Sequence, residues 1–204
     1  MIDHIFFDVE TTGLDPRKNE IIEVCAIRTD ADGNIKAAFT NRVRPKGDCD
    51  PQAAAINGYN PGEWDAAPSF DVVYKSLRNV ILDGNSEKFV LVAHNAEFDR
   101  RFWLEECSRR DLEDPFKGRR WVDTCSMAWP LVVCGAIKSV KLEVLANYYQ
   151  VVNDNPHTAE GDAMTLCQVY WKLIGRYSVV IRGETTAREV GSNFMRSIKE
   201  SMGM

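Results

Sequence analysis

Residues 5–13 read IFFDVETTG, and this run of bulky apolar residues followed by Thr-Thr-Gly predicts a β-strand that ends shortly after Glu10. Side chains two residues apart on a strand point to the same face, so the Asp8 and Glu10 carboxylates would lie together. Two acids on one face of an apolar strand repel each other unless a cation lies between them. A strand with that face open to solvent explains the pair equally well when these residues are considered alone.

A third carboxylate follows a later apolar run, LVAHNAEFD at residues 91–99. The continuous apolar stretch Phe89–Ala93 predicts a buried central strand, and Asp99 lies in the first turn of a helix predicted from about Glu97 to Arg110. Ligand sites of α/β proteins gather at strand ends, which favours a functional role for Asp99. An aspartate in the first turn of a helix is also stabilised by the helix dipole, and that explanation is the better one for Asp99 taken alone.

A histidine and a fourth acid occur in HTAEGDA, at residues 157–163. Asp162 shares a helix face with the apolar residues Leu166, Val169 and Leu173, and an acid on such a stripe is costly unless it is paired or binds metal. His157 alone would be explained as a hydrogen-bonded loop histidine. These structural explanations would have to hold separately for four acids and a histidine, whereas a single site accounts for all five.

The remaining pattern predicts an α/β domain built on a mixed sheet. A hairpin is predicted with its turn at residues 31–34, and a short helix begins at Asp50-Pro51. Further helices are predicted after Ser69 (carrying Val72, Val73, Leu77, Val80 and Ile81), from residues 123–124, over Val140–Tyr149, over Thr158–Tyr177 and from about Thr186. Residues 1–177 are predicted as one domain, and residues 178–204 as a helical extension that packs on this domain or on a partner.

Composition limits the class of protein. The chain has 204 residues and a net charge of −5, which argues against a protein that coats long nucleic acid through phosphate contacts. The uncharged stretch Ala128–Ile137 is far shorter than a membrane-spanning helix, so no membrane association is expected. The six cysteines form no C-x-x-C pair, which argues against a zinc site and favours reduced thiols in a cytoplasmic protein.

The three motifs FDVETTG, AHNAEFD and HTAEGDA together resemble those of the DEDD superfamily of 3′→5′ exonucleases, in its histidine subtype. The resemblance covers roughly residues 4–175 in the expected order. It implies an RNase H-like fold with a mixed five-stranded sheet flanked by helices. It further implies that Asp8, Glu10, Asp99 and Asp162 hold two Mg²⁺ (or Mn²⁺) ions and that His157 is the general base. The products would be nucleoside 5′-monophosphates.

The same resemblance implies a substrate site beside these residues. Thr11 and nearby backbone amides would hold the terminal 3′-hydroxyl and sugar, Gly13 would allow close approach of the backbone, and Leu14 would pack against the last base. Asn95 would orient the turn before Asp99 or lie next to the substrate. The alternative for Thr-Thr-Gly is a simple turn that ends the strand.

The expected partner is the 3′ end of a single-stranded nucleic acid, with DNA favoured over RNA. A homodimer, or a polymerase or repair protein, is the candidate protein partner. Three alternatives stay open: a 3′→5′ exoribonuclease, a catalytically inactive nucleic-acid-binding module, and a metal-dependent phosphoesterase for small molecules. Retention of all five key residues favours an enzyme over the inactive module.

Overall fold

A computed structural model describes residues 2–82 and 88–181 of the chain, and a five-stranded mixed sheet forms its centre. The strand order is β3-β2-β1-β4-β5, with antiparallel pairing among the first three strands and parallel pairing of β4 with β1 and β5. This confirms the predicted mixed five-stranded sheet. The strands are β1 Asp3–Thr11, β2 Ile21–Thr29, β3 Ile35–Arg42, β4 Phe89–Ala93 and β5 Trp121–Asp123.

Helices flank this sheet and carry most of the buried apolar residues outside it. They are α1 Pro51–Asn57, α2 Pro61–Trp64, α3 Phe70–Leu82, α4 Ala96–Arg109, α5 Thr124–Val133, α6 Leu142–Tyr149 and α7 Ala159–Ile181. The predicted helix from about Thr186 lies outside the described residues, as does most of the predicted 178–204 extension. Within the part of the chain that the structure describes, no helix combines the length and the apolar character needed to cross a membrane.

Alternating residues of β1 belong to two different cores. Ile5, Phe7 and Val9 pack with α3 and α4, whereas Phe6 packs with the apolar face of α7. Burial on both faces explains why this strand reads as a nearly continuous apolar run. Because Asp8 and Glu10 have the same parity as Phe6, their side chains emerge on the face that α7 covers.

The helix predicted after Ser69 is present, but its buried stripe differs from the predicted one. Val73, Leu77 and Ile81 are buried as expected, whereas Val72 and Val80 are exposed. Phe70 and Tyr74 complete the buried face instead. Their spacing of three and four residues gives one apolar stripe, and Val72 and Val80 lie outside it.

The stripe predicted on α7 is confirmed. Leu166, Val169 and Leu173 are almost completely inaccessible to solvent. Asp162 stands on the same face in the first turn of the helix. The packing of α7 on β1 and β2 therefore carries this acid to the sheet.

Candidate metal centre and active site

Three carboxylates from two elements meet where β1 ends. One oxygen atom each from Asp8, Glu10 and Asp162 lies within 4.8 Å of the others. Among the described residues, this is the group of acids close enough together to share a cation. The pairing of β1 with β2 shifts between Glu10 and Thr11, so the chain leaves the strand directly after the second acid.

Asp99 is a fourth acid next to this trio, and a hydrogen bond connects it to strand β1. Its side chain is 2 % exposed, and its Oδ1 accepts a hydrogen bond from the Val9 N–H at 3.1 Å. Val9 lies between the two β1 acids, so Asp99 is held at the level of the trio. The αL conformation of Asn95, with φ of 64°, makes the turn from β4 into α4 that brings Asp99 there.

Burial and mutual repulsion make these acids reluctant to ionise. Burial, followed by the charges of Asp99, Asp162 and Glu10, raises the pKa of Asp8 well above its usual value. Burial and the charges of Asp162 and Glu23 raise the pKa of Glu10 to about 8. Burial likewise raises the pKa of Asp99 and of Asp162.

A divalent cation would remove this penalty, since it replaces repulsion between carboxylates with attraction to a common positive charge. The donor atoms of the trio are all carboxylate oxygens. Hard cations such as Mg²⁺ and Mn²⁺ prefer this donor set. The acids present therefore fit a divalent metal centre.

His157 lies outside the trio, in the exposed loop of residues 153–158 that precedes α7. Its backbone has a φ of 63°, an unusual conformation for a residue with a side chain. Burial raises the pKa of Asp162, and the nearby His157 partly lowers it; both residues line an open groove of about 710 Å³. The groove runs from these residues towards Lys141 and Asn147 on and beside α6.

The Thr11–Leu14 turn adjoins Glu10. The Thr11 hydroxyl donates to the Gly13 carbonyl oxygen at 2.7 Å, which closes the turn. A Cβ atom added to Gly13 would lie 2.5 Å from the Asn19 side-chain amide nitrogen, so a side chain at this position would require the Asn19 side chain to move. Leu14 projects from it with 84 % of its surface exposed.

Arg109 of α4 holds the loop that follows this turn. Its guanidinium donates to the Asn19 carbonyl oxygen at 2.8 Å and also to the Pro16 carbonyl oxygen. Glu106, 1 % exposed, pairs with Arg109 and accepts the Ile21 N–H. The contacts of Arg109 are thus to backbone carbonyl groups and acidic side chains of the protein itself, and they tie the loop after β1 to the helix that carries Asp99.

Sequence reasoning missed several residues that shape the site. The Asp123 carboxylate accepts the Asn95 and Cys125 N–H groups and so joins the starts of α4 and α5. The Asn153 side-chain amide donates to Asp162 Oδ1 at 2.7 Å. Glu23, opposite Glu10 in the sheet, was detectable, because IIEVCAI places an acid within an apolar strand as β1 does.

Residues 5–170 match the family model RNase_T, whose description is Exonuclease. The chain belongs to this exonuclease family. Among its relatives is DNA polymerase III PolC-type from Thermotoga petrophila, 27 % identical and matched over 83 % of this chain. That match spans only 12 % of the length of the polymerase.

Two shorter relatives match over most of their own length. The DNA polymerase III subunit epsilon of Treponema pallidum is 29 % identical over 84 % of this chain and 76 % of its own. Ribonuclease T of Cronobacter sakazakii is 26 % identical over 86 % of this chain and 85 % of its own. One of these two names refers to DNA and the other to RNA.

The fold of the chain is shared with a solved structure. The nuclease domain of 3′hExo, a DEDDh family member bound to rAMP, superimposes with a TM-score of 0.68. It covers 85 % of this chain and 92 % of that domain at 18 % identity. The predicted relationship to exonucleases is confirmed by the family match, and the predicted fold is shared with this nuclease domain.

Proposed function

We propose that this protein is a metal-dependent 3′→5′ exonuclease that hydrolyses the terminal phosphodiester of single-stranded nucleic acid and releases nucleoside 5′-monophosphates. The observation that carries the proposal is the convergence of Asp8, Glu10 and Asp162 within 4.8 Å, with Asp99 directly behind them. An all-carboxylate centre at a strand end, in a chain of an exonuclease family, is suited to phosphodiester hydrolysis.

Two Mg²⁺ or Mn²⁺ ions are proposed as cofactors. Asp8, Glu10 and Asp162 would hold them directly, and Asp99 would act through water, since one of its oxygens already accepts the Val9 N–H. When bound, the ions supply positive charge against the negative charge that develops on the reacting phosphate. Around them, the packing of β1 and α7 fixes the separation of the acids before substrate arrives.

His157 is proposed as the general base that removes a proton from the attacking water. Histidine side chains ordinarily titrate close to neutral pH, which suits this role. The supporting observations are the exposed position of His157 and its place beside Asp162 in the lining of the same groove.

Replacing His157 with alanine is expected to lower kcat roughly 10²-fold or more, the usual scale for a general base. Its side chain is exposed, so the melting temperature should change little. Steady-state digestion of a labelled oligonucleotide at saturating Mg²⁺ measures the effect, and added imidazole should restore part of the rate. Replacement of the neighbouring exposed Asp154 by alanine serves as the loop control. A His157→Ala variant with an unchanged kcat would remove His157 from this role.

The terminal nucleotide is proposed to lie over the Thr11–Leu14 turn. Asn57 at the end of α1 donates to the Thr11 carbonyl oxygen at 3.0 Å, so α1 is docked onto this turn. Its neighbour Ile56 is 60 % exposed, as is most of Leu14. An apolar surface beside the acids suits contact with a base. Substrate contacts of Thr11, Gly13 and Asn95 stay predictions.

Single-stranded DNA is proposed as the preferred substrate, because two of the three relatives described above are named as a DNA polymerase III and as a subunit of DNA polymerase III. An exoribonuclease is the second candidate, favoured by the likeness to ribonuclease T and to a domain bound to rAMP. Discrimination depends on how the site treats the 2′-hydroxyl.

Digestion of matched DNA and RNA oligomers, single- and double-stranded, tests the proposal. With Mg²⁺ or Mn²⁺, a 3′ label should be released at the first cut and a 5′ label should give a ladder, whereas EDTA should stop both. Faster cleavage of RNA would select the second candidate. Hydrolysis of a chromogenic phosphodiester but of neither polymer would indicate a small-molecule phosphoesterase. No hydrolysis of any substrate would indicate an inactive binding module.

Two properties of the intact molecule are also proposed. The names of the polymerase relatives support a polymerase partner, with residues 178–204 as the candidate docking segment, and a homodimer is the alternative that light scattering would reveal. All six cysteines lie in the described part of the chain as free thiols, which supports a reducing, cytoplasmic location.

A further inference from the structure

Glu23 has Arg42 of β3 as one neighbour in the sheet, whose charge partly offsets the rise in the Glu23 pKa, and an acid as the other neighbour. It stands directly opposite Glu10 across β1 and β2, and like charges in such a pair destabilise a sheet. Burial raises the pKa of Glu23, so this carboxyl group is also poorly hydrated. Its Oε2 finds a partner in the Ala159 backbone N–H at 3.0 Å.

Ala159 is the first residue of α7 and is completely buried. The first N–H groups of a helix have no partner within the helix and need an external acceptor. Thr158 satisfies one of them, since its hydroxyl oxygen accepts the Gly161 N–H at 3.1 Å. The Ala159 N–H, two residues after His157 in the sequence, is satisfied by Glu23 of strand β2. The junction between the 153–158 loop and α7 is therefore fastened to the sheet.

Asp162 has independent support. It is followed by Ala163 and Leu166, which are fully buried against the sheet, and Asn153 donates to its carboxylate. Loss of the Glu23 contact would therefore loosen the segment from His157 to Ala159 while leaving Asp162 beside Asp8 and Glu10. We propose that Glu23 is a positioning residue that fixes where His157 stands relative to the metal-binding acids; this inference rests on the proposed function.

Comparison of Glu23→Ala with Glu23→Gln tests this role. Glutamine keeps an oxygen that accepts the Ala159 N–H but carries no charge. We expect Glu23→Ala to lower kcat roughly 10-fold, the scale of a small displacement of a reacting group, with KM within about twofold; the half-saturating Mg²⁺ concentration should be the same in Glu23→Ala and Glu23→Gln, because both remove the charge that raises the pKa of Glu10. Glu23→Gln should keep at least about half of kcat. Glu160→Ala, which removes an exposed acid from the same helical turn, is the matched control.

Two further measurements separate positioning from a general structural role. In the metal-free protein, NMR should show faster hydrogen exchange of the Ala159 amide in Glu23→Ala than in the wild type or Glu23→Gln. In a His157→Ala background, the additional Glu23→Ala change should lower kcat less than about twofold, because residues that act as a unit are not additive.

Three results would overturn the inference: a kcat of Glu23→Ala within twofold of wild type, an equal loss in Glu23→Gln, or an undiminished loss in the His157→Ala background. The last two would mean that Glu23 acts through its charge or through the fold. If the wild-type protein releases no nucleotide, the proposed function fails instead, and exchange of the Ala159 amide still decides whether Glu23 anchors the helix.

Discussion

Replacing Asp8 with asparagine is expected to lower Mg²⁺-dependent hydrolysis on the order of 10³-fold or more, as for other losses of a key electrostatic group. The same change should make the metal-free protein more stable. Burial is the largest cause of the raised pKa of Asp8, and the charges of its neighbours Asp99, Asp162 and Glu10 raise it further. An uncharged amide of the same shape removes this repulsion, and a gain of about 1 kcal/mol would raise the melting temperature by about 2–4 °C.

Thermal unfolding in EDTA at pH 8 and hydrolysis in Mg²⁺ measure the two effects. The same substitution at Asp32, an exposed acid in the β2–β3 turn, is the control and should alter neither. An Asp8→Asn protein that keeps near-normal Mg²⁺-dependent rates would contradict the metal assignment. A variant that is inactive but also less stable without metal would contradict the electrostatic account.

The metal-free protein should also become less stable as pH rises. Glu10 titrates at about 8 in the folded protein but at the ordinary 4.5 when exposed. Between these values the folded state holds a proton that the unfolded chain has lost, so the free energy of unfolding falls from about pH 4.5 to pH 8. Because metal must displace that proton, Mg²⁺ affinity should increase over the same range. Calorimetric titrations at pH 6 and pH 8 measure the change.

Replacing Gly161 with alanine is expected to damage both stability and activity. A Cβ atom at this position would lie 2.0 Å from the Asn155 carbonyl oxygen, which is backbone and cannot turn aside. Either the 153–158 loop or the first turn of α7 must move. We expect a loss of about 1–3 kcal/mol from overpacking and a fall in kcat of about 10²-fold, since His157 lies in that loop.

Gly175, in the same helix, provides the matched control. Nothing lies within 4 Å of a Cβ atom built there, so alanine should be tolerated and should stabilise the helix by up to about 1 kcal/mol. Chemical denaturation measures the stability of both variants, and steady-state digestion measures their kcat. Equal behaviour of Gly161→Ala and Gly175→Ala would show that the loop is not held against α7 as the structure places it.

The sequence predicted those features that depend on local pattern. The period of two on β1 placed Asp8 and Glu10 on one face, and the helical period placed Asp162 on a buried stripe. Both patterns are confirmed. The apolar neighbours of each acid are buried in the core, and this fixes the orientation of the strand or helix and therefore the face on which the acid lies. The predicted stripe on α3 was less accurate, since valines at adjacent helical positions do not show which of them faces the core.

Features that depend on distant parts of the chain could not be predicted in the same way. Asp99 accepts a hydrogen bond from Val9, 90 residues earlier, and Glu23 caps a helix 136 residues later. Each contact requires the strand order and register to be known first. Asn153 is close to Asp162 in sequence, but the side chain of a loop asparagine usually forms a hydrogen bond with the backbone of its own turn. No feature of the sequence therefore indicated that it would contact the acid.

The division of β1 between two cores has a consequence for how this strand can vary. Substitutions within it change one contact at a time, whereas a one-residue deletion between Phe7 and Glu10 would invert the side-chain parity of one segment relative to the other. Carboxylates would then lie in the core where Phe7 packs edge-on against the Trp103 ring at a centroid distance of 5.3 Å, and an aliphatic side chain would replace them beside Asp162. Insertions and deletions should therefore be far rarer here, across natural variants, than in the turn at residues 31–34.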